Sequence, residues 1–221
     1  MAFDKTRFGG VVAPIVNPCG EDDSLDRGAL EANLTRLLAT DVAGLYINGG
    51  TGDAANLTQD ERLETAALLV PRLLAAGKLA IVHVGQTNQR QAVELARQAA
   101  ALGAHAVASI PPKKPWPQIV EYYKALAAAG APVIVYYIPG VTGMTAGMPE
   151  LRMLLDIPGV AGIKMSDWNI FLLRSVVLEY PEKVVYSGFD EMLVPGLLYG
   201  ADGCIGTWAN LLPDLYAKVY A

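Results

Sequence analysis

Lys164 stands out chemically, because the run Val160-Ala161-Gly162-Ile163-Lys164-Met165-Ser166 places a charge inside an otherwise apolar, strand-like stretch. A lysine is almost never buried unless paired or neutralised, and removal from water favours the free amine, a nucleophile toward carbonyl carbon. The product of that attack is a Schiff base. Tyr136 carries a phenol that can pass a proton to and from a substrate held on the lysine. Gly49-Gly50-Thr51-Gly52-Asp53 is a glycine-rich turn leading into a helix, and its N–H groups with the Thr51 hydroxyl suit a carboxylate. Ser166, the stretch 187–191 and Thr207 add polar groups, and the adjacent acids Asp190 and Glu191 suit the hydroxyls of a polyol.

Taken singly, each residue also has a structural reading. Lys164 can lay its stem on apolar surface with its head in water, and the glycines can serve only to allow positive φ. Tyr136 can be an ordinary aromatic at a strand end, and Asp190 with Glu191 can open a helix, where negative charge is favoured. His83 and His105, the only histidines, have no Ser–His–Asp or metal-ligand arrangement around them and read as structural. No acid cluster suits a metal and no nucleotide-binding glycine fingerprint follows a first strand.

The elements that must position these groups recur as an apolar run followed by a helical pattern, with Gly, Pro and capping residues at the boundaries. Strands are predicted at residues 9–17, 44–48, 79–84, 106–110 and 132–138, around Lys164, and at 184–187 and 202–207. Helices are predicted at 25–38, from Thr58 to near Gly77, and at 89–102, 118–129, 149–156, 170–179 and 192–199, with a last one from Pro213. Thr58 and Glu61 have capping-box spacing, and Pro71 is expected to strain the middle of its helix. Eight strand-then-helix units, with apolar rather than alternating strands, predict a closed (β/α)8 TIM barrel occupying residues 1–221 as a single domain. In that architecture the chemistry sits at the C-terminal ends of the strands, where the candidate residues fall. About nine residues remain from Pro213 onward, short of a typical helix, so the eighth helix is expected to be truncated and to leave apolar faces in water.

The 221 residues carry 17 Lys and Arg against 22 Asp and Glu, with no basic run longer than Lys113-Lys114, which argues against a nucleic-acid partner. Cys19 and Cys204 lack metal-ligand spacing, the N-terminal stretch lacks the apolar region of a secretory signal, and no apolar run reaches the length of a membrane span. A cytoplasmic protein without a membrane partner is expected.

Together the motifs resemble the class I aldolases of the dihydrodipicolinate synthase and N-acetylneuraminate lyase family, over essentially the whole chain. They are Gly49-Gly50-Thr51-Gly52-Asp53, Tyr136-Tyr137-Ile138-Pro139 with Thr142-Gly143, Gly162-Ile163-Lys164, and Gly188-Phe189-Asp190-Glu191 followed by Gly206-Thr207. The resemblance implies a barrel followed by a small helical C-terminal region, which is absent here, usually assembled as a homotetramer and working without metal or organic cofactor. It implies Lys164 as the Schiff-base lysine, Tyr136 rather than Tyr137 as the catalytic tyrosine, and Gly50, Thr51 and Gly188 in the substrate site. Ser166, Asp190, Glu191 and Thr207 fall where lyases hold the hydroxylated tail of the sugar acid. Val141 stands where the synthases place an arginine for a second carboxylate, so the lyase branch is the nearer one.

Three departures accompany the match. Gly50 replaces a Ser or Thr and so removes one hydroxyl from the carboxylate site, Pro111-Pro112-Lys113-Lys114 replaces a turn that commonly carries a relay tyrosine, and Asp53 replaces Glu. The expected activity is cleavage or formation of a sugar acid through a pyruvate Schiff base, with pyruvate and an aldehyde or sugar acid as small-molecule partners. The alternatives are a 2-keto-3-deoxy sugar acid aldolase, a dihydrodipicolinate synthase, or a family member that binds a 2-keto acid or sugar acid without turnover.

Overall fold

The computed structural model describes residues 3–221; Met1 and Ala2, part of the N-terminal stretch read above, lie outside the described residues. Eight parallel strands close into a barrel in sequence order: β1 (Gly10–Pro14), β2 (Gly44–Ile47), β3 (Leu79–His83), β4 (Ala106–Ser109), β5 (Val133–Tyr137), β6 (Val160–Met165), β7 (Val184–Ser187) and β8 (Gly203–Cys204). Around it run α1 (Arg27–Leu38), α2 (Gln59–Ala75), α3 (Gln89–Ala101), α4 (Trp116–Ala127), the single turn α5 (Pro139–Thr142), α6 (Met148–Leu155), α7 (Ile170–Glu179), α8 (Leu193–Leu198) and α9 (Pro213–Tyr220). The (β/α)8 fold expected from the apolar strands is the one found.

Alternation along each strand divides the core in two. Val12, Tyr46, Ile81, Ala108, Ile134, Tyr136 and Tyr186 fill the barrel interior, while Val11, Ile47, Val82, Val135, Tyr137 and Ile163 pack outward against the helices. That division separates the two adjacent tyrosines: Tyr136 points in and Tyr137 out. In register, Tyr136 pairs with Lys164 across β5 and β6, and Lys164 pairs with Tyr186 across β6 and β7. A buried lysine thus enters the interior at the strand ends, flanked by inward aromatic rings.

Several boundaries differ from expectation. The second helix has the predicted capping box, with Glu61 N donating to Thr58 Oγ1 at 3.2 Å and Thr58 N to Glu61 Oε2 at 2.8 Å. Pro71 lies inside α2 on its exposed side, one turn beyond the likewise exposed Ala67, whose carbonyl loses its helical partner but can bond water, so the helix continues through it. The fourth helix begins at Trp116 rather than at residue 118, because Pro117 in the first turn lacks only an N–H that has no partner there. The last strand is two residues long instead of six, since the chain turns at Thr207 into a 3-10 segment, Thr207–Asn210, fixed by the Asp190 carboxylate. No helix among the described residues is long and apolar enough to cross a membrane.

Candidate active site

Lys164 is 5% exposed, and the described residues place no carboxylate within salt-bridge distance of it. Its Nζ lies 4.1 Å from the Tyr136 ring centroid and 4.9 Å from that of Tyr46. These groups form the floor of a cleft of about 250 Å³ at the C-terminal ends of the strands. All nine residues named from the sequence line it: Lys164, Tyr136, Gly50, Thr51, Ser166, Gly188, Asp190, Glu191 and Thr207.

Three strand-end loops build the walls. The β2 loop is pinned from below: Asn48, at φ +57°, donates through its amide to Arg62 O at 2.8 Å, and Asn17 donates to Gly52 O at 2.8 Å. Across the cleft the Thr51 and Thr207 hydroxyls lie 2.8 Å apart, tying the loops after β2 and β8. On the β6 side Ser166 Oγ donates to Tyr136 Oη at 3.3 Å, and the Ser166 N–H to Tyr137 O at 2.8 Å. Gly188 is required by close approach, since a methyl group there would strike Ser166 Oγ and come within 3.0 Å of Lys164 Cε. A larger residue would displace the amine itself.

The paired acids divide their tasks. Asp190 receives Tyr216 Oη at 2.7 Å and Trp208 N at 3.2 Å on Oδ1, and Thr207 N at 3.0 Å on Oδ2. Three protein donors therefore occupy the carboxylate expected to hold a substrate hydroxyl, and its evident effect is to shape the β8 loop and dock α9. Glu191 is exposed on the same rim and has no protein hydrogen bond among the described residues, so it is the acid open to a ligand.

Sequence reasoning passed over Tyr46 and Arg62. Tyr46 is fully buried beneath the Gly49 turn, and the inward alternation of β2 was the signal that places it under the lysine. Arg62, 2% exposed, donates to His83 O at 2.8 Å and Gly85 O at 3.0 Å, capping the end of β3. Lys113 and Lys114 border a separate cavity of about 550 Å³ on the far side of the Gly49–Gly50 turn. Among the described residues no cluster of three His, Cys, Asp or Glu side chains could hold a metal.

The structural reading of the histidines agrees with their contacts. His105 Nδ1 accepts from Ala80 N at 3.1 Å, and His83 Nε2 accepts from Ile110 N at 3.2 Å. Burial, then Arg62 and Lys164, holds His83 down to about 3, so it is neutral at pH 7. An unfolded chain binds that proton near pH 6.5. The unfolded state therefore carries more protons between about pH 3 and about pH 6.5, and stability is lost as pH falls through that window. His83→Gln retains an acceptor for Ile110 N without titrating. Its drop in melting temperature between pH 7 and about pH 4.5 should be smaller than the wild type's by about 5–10 °C. Equal drops in the two proteins would contradict the assignment.

The family described as "Dihydrodipicolinate synthetase family" matches residues 7–221. N-acetylneuraminate lyase of Rhizobium meliloti is 35% identical over 216 residues, 95% of this chain and 71% of that protein. The protein of the same name from Escherichia coli SMS-3-5 is 29% identical over 220 residues, 97% of this chain and 73% of that one. The solved structure of N-acetylneuraminate lyase from Fusobacterium nucleatum complexed with pyruvate superposes with a TM-score of 0.91 at 26% identity, covering 97% of this chain and 74% of that one. CdNal from Clostridium difficile, in complex with mannosamine, gives a TM-score of 0.92 at 25% identity, covering 96% and 74%.

Proposed function

The chain belongs to the dihydrodipicolinate synthetase family, and from that premise we propose that it is a class I aldolase that cleaves or forms a sugar acid of the N-acetylneuraminate type through a pyruvate Schiff base on Lys164. The observation that carries the reading is a lysine buried, among the described residues, without a carboxylate partner, at the floor of a cleft walled by hydroxyl groups and the open acid Glu191.

The Lys164 amine adds to the C2 carbonyl of the keto acid and water leaves, giving a protonated imine. When the C3–C4 bond breaks, its electron pair moves into that imine to form an enamine, while Tyr136 Oη takes the C4 hydroxyl proton as it hands its own phenolic proton to the substrate carboxylate, and the aldehyde departs. Protonation at C3 and hydrolysis then return pyruvate and the free amine. Thr51 with the N–H groups of its turn holds the carboxylate, and Gly50 and Gly188 leave room for it. Ser166 keeps Tyr136 in place. Glu191 and Thr207 take the hydroxylated tail, with Asp190 shaping their loop. Because one cleft in one barrel collects every candidate residue, the reading needs a single domain. Exposed apolar side chains on the outer helices, such as Phe171 at 77% and Leu198 at 79%, support assembly of copies, and a homotetramer in the cytoplasm is part of this reading.

Turnover tests it. Among N-acetylneuraminate, 2-keto-3-deoxygluconate and a short 4-hydroxy-2-keto acid, N-acetylneuraminate should give the highest kcat/KM. Glu191→Gln should reduce its advantage over the short acid about 10–100-fold, the weight of a hydrogen bond to a charged group. A short acid as best substrate, with a ranking unmoved by Glu191→Gln, would remove the sugar-acid assignment. Binding of pyruvate with no cleavage of any of the three would leave the non-catalytic alternative.

The missing hydroxyl gives a gain-of-affinity test. Among the described residues nothing lies within 4 Å of where a Cβ on Gly50 would sit, and its φ is not positive, so a serine fits. Gly50→Ser should lower the pyruvate concentration needed for half-saturation about 2–10-fold, the worth of one net hydrogen bond. Weaker binding would show that the turn holds the carboxylate by its backbone alone.

A further inference from the structure

We infer that Tyr46 is a positioning residue for the Schiff base: its ring, together with that of Tyr136, is an aromatic seat that holds the cationic nitrogen on Lys164 where other buried lysines have a carboxylate. The inference rests on the aldolase reading and deepens it. Nζ lies within cation–π range of both rings, at 4.9 Å and 4.1 Å from their centroids, and desolvation makes such contacts stronger than at a surface. The Tyr46 ring is fully buried and has little freedom. Tyr136 stands edge-on to it at 6.4 Å and His83 lies at 6.0 Å. From above, the Gly49 backbone sits so close that a Cβ there would approach Tyr46 Cε1 to 2.6 Å, which is why the turn begins with glycine.

The Tyr46 hydroxyl is buried without a hydrogen-bond partner among the described residues. Burial raises its ionisation well above that of an ordinary phenol, so a neutral π face, not a phenolate, meets the nitrogen. This suits the reaction. The imine formed after water leaves is positively charged and must keep both its proton and its pull on the C3–C4 electron pair. A carboxylate in contact would accept that proton and offset the pull. Two ring faces stabilise the cation while offering no strong proton acceptor.

The test is the pyruvate dependence of borohydride trapping on Lys164, followed across pH, in full-length protein with Tyr46→Phe and with phenylalanine carrying one, two or three ring fluorines at position 46. Fluorine withdraws π density with little change in volume. Tyr46→Phe should keep the half-trapping pyruvate concentration within about twofold, and the fluorinated series should raise it stepwise, to about tenfold for three fluorines. Its pH profile should move in the same order while the melting temperature stays level. Tyr46→Leu should resemble the trifluoro variant or exceed it; if it fails to fold, the fluorinated series decides alone. A flat series, or a loss on Tyr46→Phe as large as that at the end of the series, would overturn the inference. Absence of trapping in the wild type would instead overturn the aldolase reading on which it rests.

Discussion

Lys164→Arg should fold normally and lose aldol cleavage by about 10⁵-fold or more, the scale on which removal of a covalent nucleophile acts. Guanidinium keeps the positive charge and stacks on aromatic faces, so the rings of Tyr46 and Tyr136 still have a cation above them. It has no free amine at any accessible pH, and the imine cannot form. The pairing of β6 with β5 and β7 is made by backbone groups and is untouched. Unchanged circular dichroism together with absent turnover is the expected outcome. Activity above about one per cent of wild type would place the chemistry elsewhere, since among the described residues no other amine lines the cleft.

Tyr136→Phe should separate two events that Lys164→Arg removes together. The phenyl ring stays beneath Nζ, so pyruvate should still condense with Lys164. What is lost is the hydroxyl, 3.3 Å from Ser166 Oγ, which relays the C4 hydroxyl proton as the carbon–carbon bond breaks. General acid–base groups of this kind contribute about 10²–10⁴-fold, and kcat should fall by that amount while imine formation persists. A kcat within tenfold of wild type would assign the proton transfer to another group or to water. Loss of trapping along with turnover would mean that the hydroxyl already acts in imine formation.

The barrel was legible because parallel strands buried on both faces must be apolar throughout, and eight such runs alternate with helical patterns in this chain. Lys164 was legible for the converse reason, as a charge in one of those runs. Choosing Tyr136 over Tyr137 rested on resemblance, and the structure supplies the physical reason in the inward register of Tyr136 with Lys164. Tyr46 was missed because an aromatic in an apolar strand looks the same whether it fills space or underlies a reacting group. The loop-shaping contacts of Asp190 were not legible because its partners, the N–H groups of Thr207 and Trp208 and the hydroxyl of Tyr216, are 17 to 26 residues away in sequence. The same contacts explain the short last strand, since only the fold brings that carboxylate to the chain leaving β8.

Every step assigned to the cleft depends on one bond, between Lys164 Nζ and the carbonyl carbon of pyruvate. Incubation with pyruvate, reduction with borohydride and peptide mass mapping tests for it directly. Reduction turns the imine into a secondary amine that survives digestion, with Lys164→Arg as the control that cannot form it. The expected result is one added pyruvate per chain, confined to the peptide containing Lys164. Label on Lys113 or Lys114, which border the separate cavity, or no label on a folded protein, would contradict the mechanism.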